Sequence, residues 1–247
     1  MLRTIYKDQE GERWEEEKTR EQNQTIRKIG NDEIENLFIP INTWWGRNIA
    51  DVLKEIVQYV HKLLKKVRFE NEYLDKHFGK LSARELLSRG KTFYMNPCLD
   101  FVLVTIEWLK RTWMENIQFI AEELKCPGDS FKVHFGIEIE YQTKKYYIDY
   151  RGKNDVFLGE GNFRSKYEDK GEKIINSIRV NAKDISVDDN IYSLMEKWII
   201  KFKKFNSSWL EQLTEKIKKH NVPEQRQHNL AGVKNIEEAE IFLEDNE

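Results

Sequence analysis

Cysteine and proline are scarce in this chain of 247 residues, which has two cysteines and four prolines. Cys98 and Cys126 are predicted to lie at opposite ends of one helical region. They would be roughly 40 Å apart if that region is a single helix rising about 1.5 Å per residue. A disulfide needs its two Cα atoms within about 7 Å. The sequence therefore predicts two free thiols.

A strong net charge and a long apolar run are also lacking. The 41 basic and 43 acidic residues leave a net charge of −2, so there is no global positive field that would favour nucleic acid. No apolar run reaches the twenty or so residues of a membrane span, and Met1 to Ile5 lacks the apolar core of a signal peptide. These absences predict a cytoplasmic protein without a membrane partner. Scarce alanine with abundant lysine, isoleucine and asparagine is associated with an AT-rich bacterium or its phage.

Composition divides the chain into three parts. Residues 1–40 are dominated by charged and amide side chains and are predicted to form a charged N-terminal arm, as a solvated helix or a loose segment. Residues 41–222 are predicted to form a single domain, and 223–247 an acidic tail.

Helical periodicity recurs along the central part. Gly90 is a natural C-terminal stop for the second helix, and Ser208 with Glu211 makes a capping box for the last. The predicted helices are Thr43 to Val67, Ser82 to Ser88, Leu99 to Leu124, Ile191 to Phe205 and Ser208 to about His220.

Between Phe131 and Leu158 the period changes to two, which is typical of half-buried strands. Val133, Phe135 and Ile137 share one face, whereas His134 and Glu138 share the other. The sequence thus predicts an α+β fold that is rich in helix and contains a small antiparallel β-meander.

Cys98 stands where a buried helix is expected to begin. Asn96 can cap this helix and Pro97 suits its first position. Unpaired N–H groups and the helix dipole favour a thiolate at such a site. This is how papain-like enzymes mount their nucleophile.

His134 and Asp149 follow on the two strands of the predicted hairpin, and the order Cys, His, Asp is the papain-like order. Cys98 would attack, His134 would take the proton, and Asp149 would orient His134. A loop of two or four residues centred on Thr143 and Lys144 places Glu138 opposite Asp149. His134 is then offset along the strands, so that a twist or bulge must close the relay.

The segment from Ala83 to Cys98, followed by an apolar helix, resembles the segment leading to the nucleophile of small spore-coat-type bacterial transglutaminases. Tyr150 to Glu160 is similar to a later strand of that family. The resemblance implies a papain-like core in which a cysteine and a nearby acid join Gln and Lys side chains. Cys98 matches the nucleophile. Pro97 and Lys153 depart from the family's acidic positions, so His134, Asp149 or Asp155 would supply the base.

The function predicted from these residues is thiol-dependent acyl transfer or amide hydrolysis on a protein or peptide, with no cofactor and no metal. The sequence leaves open whether the chain is an enzyme, because cysteine is often simply buried and a strand histidine is often structural. The alternative is a non-catalytic helical protein of a bacterium or its phage that binds a protein partner. The sequence does not indicate an oligomeric state.

Two further patterns have plainer explanations. Glu138, Glu140 and Asp149 could bind a divalent metal, as nuclease carboxylates do, but neighbouring basic residues can neutralise them. The last helix pair is locally basic and could contact nucleic acid, although lysines on a solvated face explain it as well. The lysines concerned are Lys201, Lys203, Lys204, Lys218 and Lys219.

Overall fold

The computed structural model describes residues 4–7, 15–16, 30–37, 47–68, 76–93, 98–126, 131–151, 155–161, 163 and 172–202. Within these ranges the fold is α+β, as predicted. The helices are α1 (Asn31–Asn36), α2 (Ile49–Leu63), α3 (Ala83–Arg89), α4 (Cys98–Leu109), α5 (Ile191–Lys197) and α6 (Ile199–Phe202). The strands are β1 (Thr4–Lys7), β2 (Glu15–Glu16), β3 (Lys65–Arg68), β4 (Lys91–Phe93), β5 (Asn116–Lys125), β6 (Phe131–Tyr141), β7 (Lys144–Arg151), β8 (Asp155–Glu160) and β9 (Lys173–Asn181).

The principal sheet has six antiparallel strands in the order β1-β8-β7-β6-β5-β9. Strands β5 to β8 are consecutive neighbours, which is a meander, and β9 returns to the outer edge of β5. A second sheet has three parallel strands in the order β2-β3-β4. The meander is therefore larger than predicted, and a small parallel sheet accompanies it.

The helix predicted from Leu99 to Leu124 is wrong in its second half. Helix α4 ends at Leu109 and strand β5 begins at Asn116. Ile117, Phe119 and Ala121 all enter the main core, which is the period of two of a strand. Cys126 consequently follows a strand and does not end a helix, and neither Cys98 nor Cys126 forms a disulfide.

The hairpin of β6 and β7 closes one residue earlier than predicted. Gln142 and Thr143 form a two-residue turn with φ of 48° and 65°, the left-handed conformation of a type I′ hairpin turn. Asp149 therefore lies opposite Gly136, and the predicted pairing with Glu138 is wrong. The polar and apolar faces are unchanged because the register has moved by two residues.

Local capping explains where the helices α2 and α3 begin and end. The Asn48 side chain accepts a hydrogen bond from the Ala50 N–H (2.9 Å), so α2 starts later than the predicted Thr43. Ser82 and Glu85 cap α3 reciprocally, and Gly90 ends it with φ of 66°. The prediction for this short helix, including its Gly90 end, is confirmed.

Helix α4 lies at the centre of the main core. It packs on β5, β6 and β7 and also contacts α2 and α3. Trp108 meets Tyr59 of α2 edge to face, with ring centroids 4.4 Å apart. The hydroxyls of Thr105 and Tyr150 share a buried hydrogen bond of 2.6 Å that joins α4 to β7. The first residue of α4, Cys98, is thereby held near β6 and β7.

The structure describes parts of the N-terminal 40 residues but none of residues 203–247. In the predicted N-terminal arm, Thr4–Lys7 pairs with β8 as an edge strand and Ile34 is buried in the core, so these parts are ordered elements of the fold. The predicted helix from Ser208 and the tail 223–247 lie outside the described residues. None of the helices in the described part combines the length and apolar composition needed to cross a bilayer.

Candidate functional site

Cys98 is the first residue of α4 and is partly exposed. The first turn of an α-helix carries backbone N–H groups without intrahelical partners, and its dipole favours negative charge. The side chains of Asn96 and Pro97, which the sequence predicts to cap this helix, lie outside the described residues. The placement suits an anionic sulfur.

Asp100 fixes the first turn of α4 to the second sheet. The Thr92 hydroxyl on β4 donates a hydrogen bond of 2.5 Å to Asp100 Oδ2. Burial raises the pKa of Asp100 to about 7, although the hydrogen bond from Thr92 opposes this shift. The carboxyl thus anchors the segment that carries Cys98.

His134 and Asp149 are joined directly. His134 Nε2 donates to Asp149 Oδ1 over 2.6 Å, and the two residues are 8 % and 0 % exposed. The paired residues of β6 and β7 end at Gly136 and Asp149. His134 is therefore the diagonal neighbour of Asp149, within reach of long side chains. The observed register brings His134 two residues closer to Asp149 than predicted, and the remaining offset closes along this diagonal.

Cys98 lies within hydrogen-bonding reach of the same imidazole. Burial alone would lower the pKa of His134, but the charge and hydrogen bond of Asp149, together with the hydrogen bond and charge of Cys98, raise it to about 9. A buried imidazole with such a pKa is protonated at neutral pH. The structure thus brings together the three residues that the sequence selected.

The imidazole of His134 has two ring nitrogens with which to meet Asp149 and Cys98. Asp149 occupies Nε2, and each ring nitrogen can carry one proton. We therefore assign the hydrogen bond with Cys98 to Nδ1. An imidazolium held in this way can stabilise a thiolate on one side while its carboxylate fixes the ring on the other.

Phe163 and Gly136 complete the surroundings of the imidazole, and sequence reasoning missed both. The Phe163 ring stacks on His134 with centroids 5.8 Å apart and planes at 13°. A Cβ on Gly136 would lie 1.8 Å from Phe163 Cε2, so only glycine leaves room for this ring. A glycine within a strand was the available signal, because it often marks a close approach.

Glu122 was also missed, because its segment was predicted to be helical. On β5 it pairs directly with His134 and is 0 % exposed. Only the strand register shows that a second carboxylate flanks the imidazole.

Two of the three carboxylates that the metal alternative requires, Glu138 and Asp149, interact with other side chains. Glu138 pairs with Arg179 at 2.7 Å and with Lys145 at 3.3 Å, Glu140 is exposed, and Asp149 holds His134. Within the described ranges, no group of three or more His, Cys, Asp or Glu residues is arranged to hold a metal ion. Neighbouring cations neutralise Glu138, as the plainer explanation requires.

The basic surface proposed for nucleic acid is described at one residue. Lys201 is exposed, and its Nζ donates to the Arg179 carbonyl at 3.3 Å. The other four lysines, from Lys203 to Lys219, lie outside the described residues. Lys153 and the side chain of Asp155, which bear on the transglutaminase resemblance, lie outside them too.

Comparison with known proteins adds no assignment. No protein-family model matches the chain, and no curated protein matches it.

Proposed function

We propose that this chain is a thiol-dependent enzyme with a papain-like core that performs acyl transfer or amide hydrolysis on a protein or peptide. The observation that carries the proposal is the grouping of Cys98, His134 and Asp149, with a hydrogen bond of 2.6 Å between the last two. Nucleophilic catalysis by cysteine needs a thiol, a base and a group that orients the base, all within hydrogen-bonding reach.

The proposed reaction begins with a Cys98 thiolate beside the His134 imidazolium. The sulfur attacks the carbonyl carbon of an amide, and the C–N bond then breaks as His134 donates its Nδ1 proton to the departing nitrogen. This leaves a thioester on Cys98 and a neutral imidazole. Water or a primary amine next attacks the thioester carbonyl while His134 accepts its proton. The C–S bond then breaks, which restores the Cys98 thiolate and the His134 imidazolium.

Asp149 supports both halves of the reaction from a fixed position. Its carboxylate is fully buried and keeps Nε2 protonated, so that proton exchange is confined to Nδ1. Such a carboxylate orients the imidazole and stabilises its charged form without itself becoming protonated. The pKa of about 9 for His134 keeps the charged form dominant over the physiological range.

The ionisation of Cys98 tests the proposal most directly. A Cys126→Ser variant leaves Cys98 as the one thiol, and its alkylation by iodoacetamide is followed against pH. An ion pair predicts rapid alkylation at low pH, and much slower alkylation there in His134→Ala. The double variant with Cys98→Ser and Cys126→Ser has no thiol and is the blank. Slow alkylation that follows an ordinary thiol, unchanged in His134→Ala, would contradict the proposal and favour the partner-binding alternative.

A second assay separates the two reaction types. The full chain is incubated with a glutamine-rich protein and a fluorescent primary amine, and both amine incorporation and peptide cleavage are measured. Incorporation that is lost in Cys98→Ala indicates acyl transfer, whereas cleavage that is lost indicates hydrolysis. Cys98→Ala removes only the sulfur, so we expect the variant to fold, and circular dichroism checks this.

A further inference from the structure

We propose that Glu122 is a second positioning carboxylate for His134, which acts from β5 through its charge, whereas Asp149 of β7 also hydrogen-bonds the ring. Glu122 and His134 are directly opposite in the β5–β6 pairing. Side chains opposite each other on antiparallel strands lie on the same face, with Cβ atoms about 4.5–5.5 Å apart. The imidazole is therefore flanked by carboxylates from both neighbouring strands.

Burial gives this arrangement its electrostatic consequence. Glu122 is 0 % exposed, and a carboxylate removed from water is costly unless a positive charge compensates it. The imidazole of His134, directly opposite on β6, can supply that positive charge. Glu122 is thus assigned as an ionised neighbour of the imidazolium.

Other charged groups on this face form ion pairs with one another. Lys132 pairs with Glu172, and Arg179 and Lys145 pair with Glu138. The groups that face His134 or Glu122 from the surrounding elements are Lys132 and Glu138 of β6, Asp149 and Tyr147 of β7, Arg179 of β9, and Cys98 of α4. Within the described part of the chain, His134 is the cation directly opposite Glu122.

The consequence of Glu122 for catalysis rests on the proposed function, whereas its effect on the pKa of His134 does not. Two flanking carboxylates favour the imidazolium over the neutral ring, which keeps a proton at Nδ1 for the departing amine up to higher pH. Glu122 acts through His134 and not on the substrate. The measurable effect is on the pKa of the imidazole.

The test is a titration of His134 by NMR with isotopically labelled histidine in the full chain. In Glu122→Gln the loss of the opposing negative charge lowers the pKa of His134 by at least about one unit. Glu123→Gln is the matched control, because Glu123 is equally buried but lies on the opposite face. There its Oε2 accepts a hydrogen bond of 2.6 Å from Asn176. This control leaves the His134 titration unchanged. Glu122→Asp keeps the charge and gives a pKa above that of Glu122→Gln.

An unchanged His134 titration in Glu122→Gln would overturn the inference. A second measurement needs no variant and decides the matter if Glu122→Gln does not fold. The side-chain carboxyl carbon of Glu122 is followed by NMR in the natural chain. We expect it to be ionised before His134 loses its proton, and a Glu122 that stays protonated through that step would also overturn the inference.

The failure of this inference and of the proposed function can be told apart. Fast low-pH alkylation of Cys98 with an unchanged His134 titration rejects Glu122 alone. A lowered His134 pKa in Glu122→Gln, with slow and ordinary Cys98 alkylation, supports Glu122 and rejects the enzyme proposal.

Discussion

Asp149 is the residue on which the protonation of the site depends most. It is fully buried, and its Oδ1 accepts from His134 Nε2 at 2.6 Å. The folded-state pKa of about 9 for His134 exceeds its ordinary value of 6.5. The folded protein therefore holds this proton more tightly than the unfolded chain does.

Asp149→Asn should remove most of a pH dependence of stability that comes from His134. Because the folded pKa is raised, the stabilisation is fully present below about pH 6.5 and is lost as the pH rises through about 9. A shift of this size corresponds to about 3 kcal/mol. We expect the free energy of unfolding of the natural chain to fall by roughly this amount over that interval. Urea unfolding at several pH values measures it, and the fall should be much smaller in Asp149→Asn.

Glu140→Gln provides the comparison for this measurement. Glu140 lies on the same strand as His134 and is exposed, so its loss should leave the pH dependence of stability as it is in the natural chain. If Asp149→Asn and Glu140→Gln retain the same fall between pH 6.5 and 9, the His134–Asp149 pair does not cause it.

At the scale of the elements, the sequence selected three residues that lie together in the structure but missed the residues that surround them. Cys98, His134 and Asp149 could be selected because a helix start and a polar strand face are local patterns. Their exact relation depended on the turn at Gln142 and Thr143, whose left-handed conformation nothing in these two residues signals. Once the register moves by two residues, Gly136 replaces Glu138 opposite Asp149.

Strand β5 shows why a local pattern can mislead. Trp113, Met114 and Ile117 continue the apolar character of α4, so the segment resembled more helix. The structure buries most of β5 on both faces, including Ile120 and Glu122. A strand buried on both faces loses the clean alternation that identifies it. Glu122 could therefore not be assigned to the site before the strand was known.

Gly136 and Phe163 should behave as one unit. In Gly136→Ala the added Cβ, 1.8 Å from the Phe163 ring, must displace that ring from His134. We expect a loss of stability on the order of 3 kcal/mol, since overpacking of a core is costly. In a Phe163→Ala background the same change should cost less than about 1 kcal/mol, because the obstructing ring is gone. Urea unfolding of the four proteins measures this coupling.

The same four proteins separate a packing role from a role at the imidazole. Phe163 stacks on His134 at 13°, so the NMR resonances of the His134 ring should shift in both single variants. Gly30→Ala is the control, because Gly30 is exposed and its added Cβ would meet Glu33 Oε2 at 3.7 Å and neither ring of this stack. Additive stability losses in the double variant would show that the two residues do not act together.

On the scale of the whole molecule, the site is attached to the main core on several sides. The buried core extends as one cluster from α2 and α3 through α4 to the principal sheet and on to α5. Cys98 packs against this cluster, while Phe163 belongs to a small separate cluster with Ile120 and Tyr147 on the other face of the sheet. The strands β5, β7 and β8 contribute residues to both clusters. Loss of the site therefore requires disruption of strands that also support the main core.

This continuity predicts that the site and the core unfold together. With urea as the denaturant, far-ultraviolet circular dichroism follows the helices and strands, and tryptophan fluorescence includes the buried Trp108 of α4. The folded-state NMR signal of the His134 ring follows the site itself. We expect all three to give one midpoint, as a single cooperative unit requires. Loss of the His134 signal at a clearly lower urea concentration, while the tryptophan signal persists, would contradict a single cooperative unit. The small cluster around Phe163 would then unfold separately from the core that holds Cys98.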